Sequence, residues 1–204
     1  MAEPLTLLAK GLACRRGGRM IFDDLSFSIA AGEALIVTGR NGAGKSSLLR
    51  LIAGLLRIEG GDLSFQGGDP ERSIGEQAHY LGHSDALKSA LSVEENLAFW
   101  TAWLGGSGVP REALATVGLD QLAALPAAYL SAGQKRRLSI ARLIAAKRPL
   151  WLLDEPTSAL DAVSQGMLLD LMRSHLSGGG IIVAATHLPL GLEGARELKL
   201  ERAA

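Results

Sequence analysis

Residues 39–46 read Gly-Arg-Asn-Gly-Ala-Gly-Lys-Ser and follow the apolar run ALIVT at 34–38. They match G-x-x-x-x-G-K-[ST], and the run SLLRLIAGLL that continues from them predicts a helix. This is the strand–loop–helix setting of a phosphate-binding loop. The glycines let backbone N–H groups close around an anion, a conformation that residues with a Cβ resist. Lys45 adds a cation for the β- and γ-phosphates, and the Ser46 hydroxyl suits a Mg²⁺ shell. Gly39, Arg40, Asn41, Gly42, Ala43, Gly44, Lys45, Ser46 and Ser47 are the first candidate nucleotide-binding residues.

A loop of this kind belongs at the carboxyl edge of a parallel sheet wrapped by helices, and the remaining sequence supplies one. LTLLAKGLAC (5–14) and MIFDDLSFSI (20–29) flank Gly17-Gly18 and predict an antiparallel opening. ALIVT (34–38), DLSF (62–65), LWLL (150–153), IIVAAT (181–186) and ELKL (197–200) predict the other strands, several apolar enough to be buried on both faces. From His83 to Leu130 the pattern is helical and strand-free. Ser92-Val93-Glu94-Glu95 is a capping box there, and Pro110 suits a first helical turn. The expectation is one domain, 1–204, with an α/β core over 1–82 and 131–204 and a helical subdomain inserted over about 83–130.

LWLLDEP ends a buried strand on Asp154 and Glu155, at the same carboxyl edge. Asp154 can orient the Mg²⁺ shell together with Ser46, leaving Glu155 to accept a proton from an attacking water. IIVAATH brings His187 out at that edge too, within reach of Glu155 and of a γ-phosphate. Ser158-Ala159-Leu160-Asp161 follows the carboxylates and places Asp161 as a further candidate. LSAGQKRR at 130–137 poses a question, because a helix opening on Ser-x-Gly offers free N–H groups and a hydroxyl to a second phosphate. One nucleotide needs only one such loop.

Composition removes several classes. Twenty-one Lys+Arg balance 21 Asp+Glu, so there is no basic footprint for nucleic acid. Cys14 is the single cysteine, which excludes a disulfide framework and a thiolate metal site; it is expected as a small buried hydrophobe. MAEPLTLLAK lacks the pattern of a signal peptide, and no apolar run approaches the roughly 20 residues of a membrane span. A soluble chain that reaches a membrane through a partner is expected. His79, His83, His175 and His187 show no haem-attachment spacing, so direct haem binding is not expected. Phe99, Trp100, Trp103 and Leu104 gather on one predicted helix, with core packing expected first and a docking face as the alternative.

LSAGQ at 130–134 followed by LLDEPTSALD at 152–161, behind the phosphate loop, resembles the ATP-binding-cassette ATPases along nearly the whole chain. That resemblance implies a P-loop NTPase core with an N-terminal antiparallel β subdomain and an inserted α-helical subdomain. It also answers the question about LSAGQKRR. In the family this helix completes the ATP site of a second subunit, so Ser131, Gly133 and Gln134 are expected to act on the nucleotide of a twin chain. ATP and Mg²⁺ are the implied cofactors, with membrane-spanning permease subunits as further partners.

Two departures from the family pattern stand out. Where the first loop usually stacks an aromatic ring on adenine, Arg16 stands; a guanidinium plane can stack on a purine, or Arg16 is a plain turn residue. Where a glutamine usually reaches metal and water, alignment back from LSVEENL places His83, as that group's substitute or as a surface loop residue. The LGH loop, LSAGQKRRLSIARL and the TH-L-PL stretch at 186–190 are similar to the ATP-binding subunits of bacterial cytochrome c biogenesis haem-export systems. This similarity implies ATP hydrolysis on the cytoplasmic face of the inner membrane, with the chain held there by membrane subunits. The alternatives are an exporter of another cargo and a soluble ATPase of the same family without a transport role. A GTPase is disfavoured, since no N-K-x-D motif occurs.

Overall fold

The computed structural model describes residues 3–201. Two compact units form. One comprises the chain up to Gly82, Pro149–Pro156 and the chain from Met172 onward; the other comprises His83–Arg148 and Thr157–Leu171.

The first unit holds both sheets. Strands β1 (Thr6–Arg16), β2 (Arg19–Ala30) and β4 (Gly60–Gln66) form an antiparallel sheet in the order β2-β1-β4, turning at Gly17-Gly18 as the sequence predicts. Strands β3 (Ala34–Thr38), β5 (Ala78–Leu81), β6 (Leu150–Asp154), β7 (Ile181–Ala185) and β8 (Arg196–Lys199) form a parallel sheet in the order β5-β6-β7-β3-β8. Every position of β6 and β7 is buried, which is why both read as unbroken apolar runs rather than alternating ones. Leu7, Leu12 and Ile29 of the antiparallel sheet share one core with Leu48, Leu49 and Ile52 of helix α1 (Lys45–Ile52) and with Leu152 and Val183 of the parallel sheet. Cys14 lies in that core, as expected of a small hydrophobe.

Two local readings are corrected. Helix α1 stops at Ile52 instead of running through SLLRLIAGLL, because Gly54 takes φ 72° and the Leu55 N–H returns to the Arg50 carbonyl at 2.8 Å, a glycine-based helix stop. Strand β5, AHYL, was not predicted: it is short and carries His79 and Tyr80, and only its register with Leu150–Leu153 of β6 makes it a strand.

The second unit is helical. Helices α2 (Val93–Trp103), α3 (Pro110–Thr116) and α4 (Ala132–Ala145) pack on one another, and α5 (Ala162–Ser177) begins in this unit. Ser92 caps α2 by accepting the Glu95 N–H at 3.1 Å while the Glu95 carboxylate accepts the Ser92 N–H at 2.8 Å, and Pro110 stands in the first turn of α3. The unit is larger than the expected 83–130 because α4 packs with α2 and α3: the Gly108 N–H donates to the Ala145 carbonyl at 3.2 Å. The aromatic cluster departs from its first expectation. Trp103 is 74% exposed and Phe99 37%, their rings stacked 6.4 Å apart, while Trp100 turns inward.

His175, near the end of α5, stacks on Trp151 of β6 at 4.0 Å, with Nε2 3.3 Å from the Ile181 carbonyl. Burial lowers its pKa, against the pull of the Ile181 and Pro149 carbonyls. The unfolded chain therefore binds the proton more readily than the folded one. The stability contributed by neutral His175 is full above the ordinary histidine pKa and is lost as pH falls through the depressed folded value. We expect the denaturant midpoint to fall as pH is lowered from about 7.5 to about 5, and His175→Phe to make that fall shallower. Parallel urea titrations of the two proteins across this range measure the difference.

Candidate active site

The phosphate loop is shaped by its glycines. Gly39, Gly42 and Gly44 take φ of 134°, 82° and 106°, a region closed to most side chains. At two of them the space is closed as well: a Cβ on Gly39 would collide with the Leu200 carbonyl, and one on Gly44 with the Ile21 side chain. Arg40 and Ala43 build the turn itself through an N–H to carbonyl bond of 3.0 Å. Gly44 is also the cap of α1, so the first N–H groups of that helix stay open toward the loop. Lys45, almost fully buried, curls back to donate its Nζ to the Gly39 carbonyl at 2.8 Å.

A cavity of about 610 Å³ opens over this loop. Asn41, Gly42, Gly44, Lys45, Ser46 and Ser47 line it from one side, and Asp154 with Glu155 from the end of β6. Arg16, Gly17 and Ile21 of the β1–β2 hairpin line it as well. Arg16 was a candidate through the family resemblance. Gly17 and Ile21 had no signal beyond the turn and the strand they belong to.

The two carboxylates face different partners. Asp154, 3% exposed, accepts the Ser46 hydroxyl at 3.0 Å. Glu155 sits at φ 46° with its N–H on the Ala185 carbonyl at 2.8 Å, so the chain leaves β6 in a left-handed turn while staying bonded to β7. Its Oε1 lies 3.0 Å from Nδ1 of the exposed His187. Donation of Nδ1–H to the carboxylate leaves Nε2 as the free ring nitrogen. The Ser46 and Asp154 oxygens are hard donors held together at the cavity wall, a set that fits Mg²⁺, which takes one or two protein oxygens alongside substrate phosphate and water.

The other candidates belong to the second unit. Ser131 caps α4 with a reciprocal box: its hydroxyl oxygen accepts the Gln134 N–H at 3.2 Å, and the Gln134 side chain accepts the Ser131 N–H at 2.8 Å. The Ser131 hydroxyl proton remains available to donate. A Cβ on Gly133 would lie 2.8 Å from the Ala159 carbonyl, so this glycine also serves close packing on the 157–160 turn. Asp161 caps α5 by accepting the Ser164 N–H at 2.8 Å, which holds its pKa below the usual carboxylate range. His83 is exposed at the start of the helical unit.

A family model described as ABC transporter matches residues 22–158. The cytochrome c biogenesis ATP-binding export protein CcmA of Rhodopseudomonas palustris (strain BisB18) is 63% identical over 201 residues, spanning 98% of this chain and 100% of that protein. The chain belongs to the CcmA family of ABC transporter ATPases. The protein of the same name from Nitrobacter winogradskyi is 61% identical over 202 residues, again across 98% of this chain and all of its own. A solved ATP-binding subunit of an ABC transporter superposes with a TM-score of 0.84 at 26% identity, over 95% of this chain and 85% of that one. The cassette is thus an ATP-binding and ATP-hydrolysing subunit.

Glu155→Gln keeps an acceptor oxygen toward His187 but cannot take a proton. It is expected to bind ATP like the parent chain while turnover falls by about 10²-fold or more. Lys45→Ala removes the loop's own cation and is expected to lose ATP binding itself. Titration calorimetry with ATP and Mg²⁺, paired with phosphate-release rates, separates the two.

Proposed function

We propose that this chain is the motor of an export complex for c-type cytochrome biogenesis, working as a pair of copies beneath membrane-spanning permease subunits. The observation that carries the hydrolytic reading is the Glu155–His187 contact of 3.0 Å at the strand end next to the Ser46–Asp154 pair. The full-length likeness to proteins named for cytochrome c biogenesis export supports the biological setting. The cargo we propose is haem, moved or released by the permease subunits with no haem bound to this chain.

In this reading the loop amides and Lys45 hold the phosphates, and Arg16 lies flat against the base as a guanidinium platform. Ser46 and Asp154 would hold Mg²⁺, which would supply neutralisation of phosphate charge. Glu155 takes a proton from water as the water oxygen bonds to the γ-phosphorus and the bond from phosphorus to the β–γ bridging oxygen breaks, releasing ADP and phosphate. His187 keeps the Glu155 carboxylate aimed and offers Nε2 toward the γ-phosphate. Ser131, Gly133 and Gln134 act on the nucleotide of the second copy, where the Ser131 hydroxyl and the open N–H groups of α4 meet the γ-phosphate. Asp161 stands at the turn that supports Gly133, and His83 relays the state of the site to the permease.

No helix among the described residues is long and apolar enough to cross a membrane; the place we propose for the chain is the cytoplasmic face of the inner membrane, held by its membrane subunits. Because the two halves of each ATP site come from different copies, lesions in them should complement. Ser131→Arg and Lys45→Ala are each expected to be inactive as pure proteins, whereas their mixture should recover one intact site per pair. Hydrolysis measured across mixing ratios tests this, and a mixture as inactive as either parent counts against action in trans.

A further inference from the structure

Residues 83–88, His-Ser-Asp-Ala-Leu-Lys, open the helical unit as an irregular turn in which Ala86 takes φ 53°. A residue with a Cβ holds that backbone only where its surroundings impose it. Five hydrogen bonds do so. The Asp85 carboxylate faces Nη1 of Arg136 at 3.4 Å, and the Asp85 carbonyl accepts the Ser139 hydroxyl at 2.9 Å. The Trp100 indole N–H donates to the Ala86 carbonyl at 3.0 Å. The buried Asn96 amide takes both main-chain groups of Lys88, at 2.8 and 3.0 Å.

These partners sit on two helices. Asn96 and Trp100 belong to α2, Arg136 and Ser139 to α4. Arg142, also on α4 and buried, joins the set with its guanidinium 4.7 Å from the centre of the Trp100 ring and its Nε–H on the Ser139 carbonyl at 3.2 Å. Burial pulls the Arg142 pKa down to about 10 while the Asp85 charge pulls it up, so the same carboxylate serves both buried arginines. Along α4, Arg136 and Ser139 lie roughly 8 and 12 Å from Ser131, a span over which one helix acts as a stiff rod. Apolar packing alone would let the turn slide over the helix. Bonds to fixed donors and acceptors do not.

We propose that Asp85 and Trp100 are positioning residues that latch the strained 83–88 turn to α4 and α2, so that a displacement of the turn carries the Ser131–Gly133 helix start with it. The latch rests on contacts inside the helical unit, and its consequence for turnover rests on the reading of Ser131 and Gly133 as donors to a composite ATP site. A partner that presses on the turn then changes how well that site is assembled, without touching the phosphate loop.

Hydrogen exchange on the full-length chain tests the latch itself. In Asp85→Asn and in Trp100→Phe, amides of residues 83–88 and of the first turn of α4 should exchange faster together, by about tenfold, with strands β3 and β6 unchanged. Trp100→Phe keeps a ring beside Arg142 and is the variant least able to disturb folding; Asp85→Glu should restore the parent pattern. Acceleration confined to 83–88, acceleration spread equally through the sheet, or none overturns the latch. In the complex with the membrane subunits, both loosened variants should lose about tenfold of the stimulation of ATP turnover, while the isolated chain binds ATP within about twofold of the parent. Undiminished stimulation with a loosened latch overturns the positioning role. A parent chain that its membrane partners never stimulate counts against the composite-site reading instead, and the exchange result still decides the latch.

Discussion

Backbone N–H groups at the end of β3 have to converge on one point, and a sheet cannot satisfy that demand while it continues. The chain must leave the ladder, turn through conformations that exclude side chains, and re-enter a helix with its first amides unpaired. Gly39 and Gly44 do this against neighbours that leave no room: the Leu200 carbonyl past the end of β8 stands where a Cβ on Gly39 would go, and Ile21 of the antiparallel hairpin stands where one on Gly44 would go. The loop is therefore braced from two directions by elements that are far from it in sequence. The same approach of the hairpin puts Arg16 and Gly17 on the wall of the nucleotide cavity. The antiparallel sheet is thus a support for the loop as well as part of the core.

What could be read from the sequence follows from what is local. β6 and β7 are buried on both faces and β3 nearly so, and all three announce themselves as apolar runs; the capping boxes at Ser92 and Ser131 and the glycine turn at 17–18 carry their own geometry. β5 could not be read this way, since AHYL is a strand only through its neighbour β6. The extent of the helical unit was equally hidden. The sequence marks where strands are missing, whereas the grouping of α4 with α2 and α3 is a matter of packing between separate segments of the chain. In the aromatic cluster, the residues are legible and their direction is not. The tie from Trp100 to the Ala86 carbonyl fixes which side of α2 faces inward and leaves Phe99 and Trp103 outside.

The glycine of LSAGQ shows how one residue can answer two demands. A phosphate approaching the start of α4 needs bare backbone, and that was the reading from sequence. The structure adds a demand from inside the chain, because the Ala159 carbonyl would stand 2.8 Å from a Cβ at position 133. Ala159 itself holds φ 62°, and the turn it occupies ends on Asp161, the cap of α5. A side chain at 133 would push on this turn even with no nucleotide present. Loss of activity on substituting Gly133 therefore mixes a contact to ligand with a displaced turn. Ser131 has its own double duty: its hydroxyl oxygen caps α4 while its proton is what a phosphate would use, so replacing it removes both.

Two adjacent carboxylates stand at the rim of one polar cavity, each engaged by a different partner. Asp154 is the last residue of β6 and is sealed, its oxygen taken by the Ser46 hydroxyl. Glu155 is the first residue off the strand, and its left-handed φ of 46° turns it away from the strand's alternation. That conformation costs on the order of 1–3 kcal/mol for a residue with a side chain. The bond from its N–H to the Ala185 carbonyl and the contact of its carboxylate with His187 offset part of the cost, and both come from β7 or just beyond it. The strained residue is thus held at its backbone and at its side-chain tip by the neighbouring strand. A base fixed at both ends loses little freedom when water and phosphate arrive, and strain already present in the resting chain does not have to be created at the moment of proton transfer.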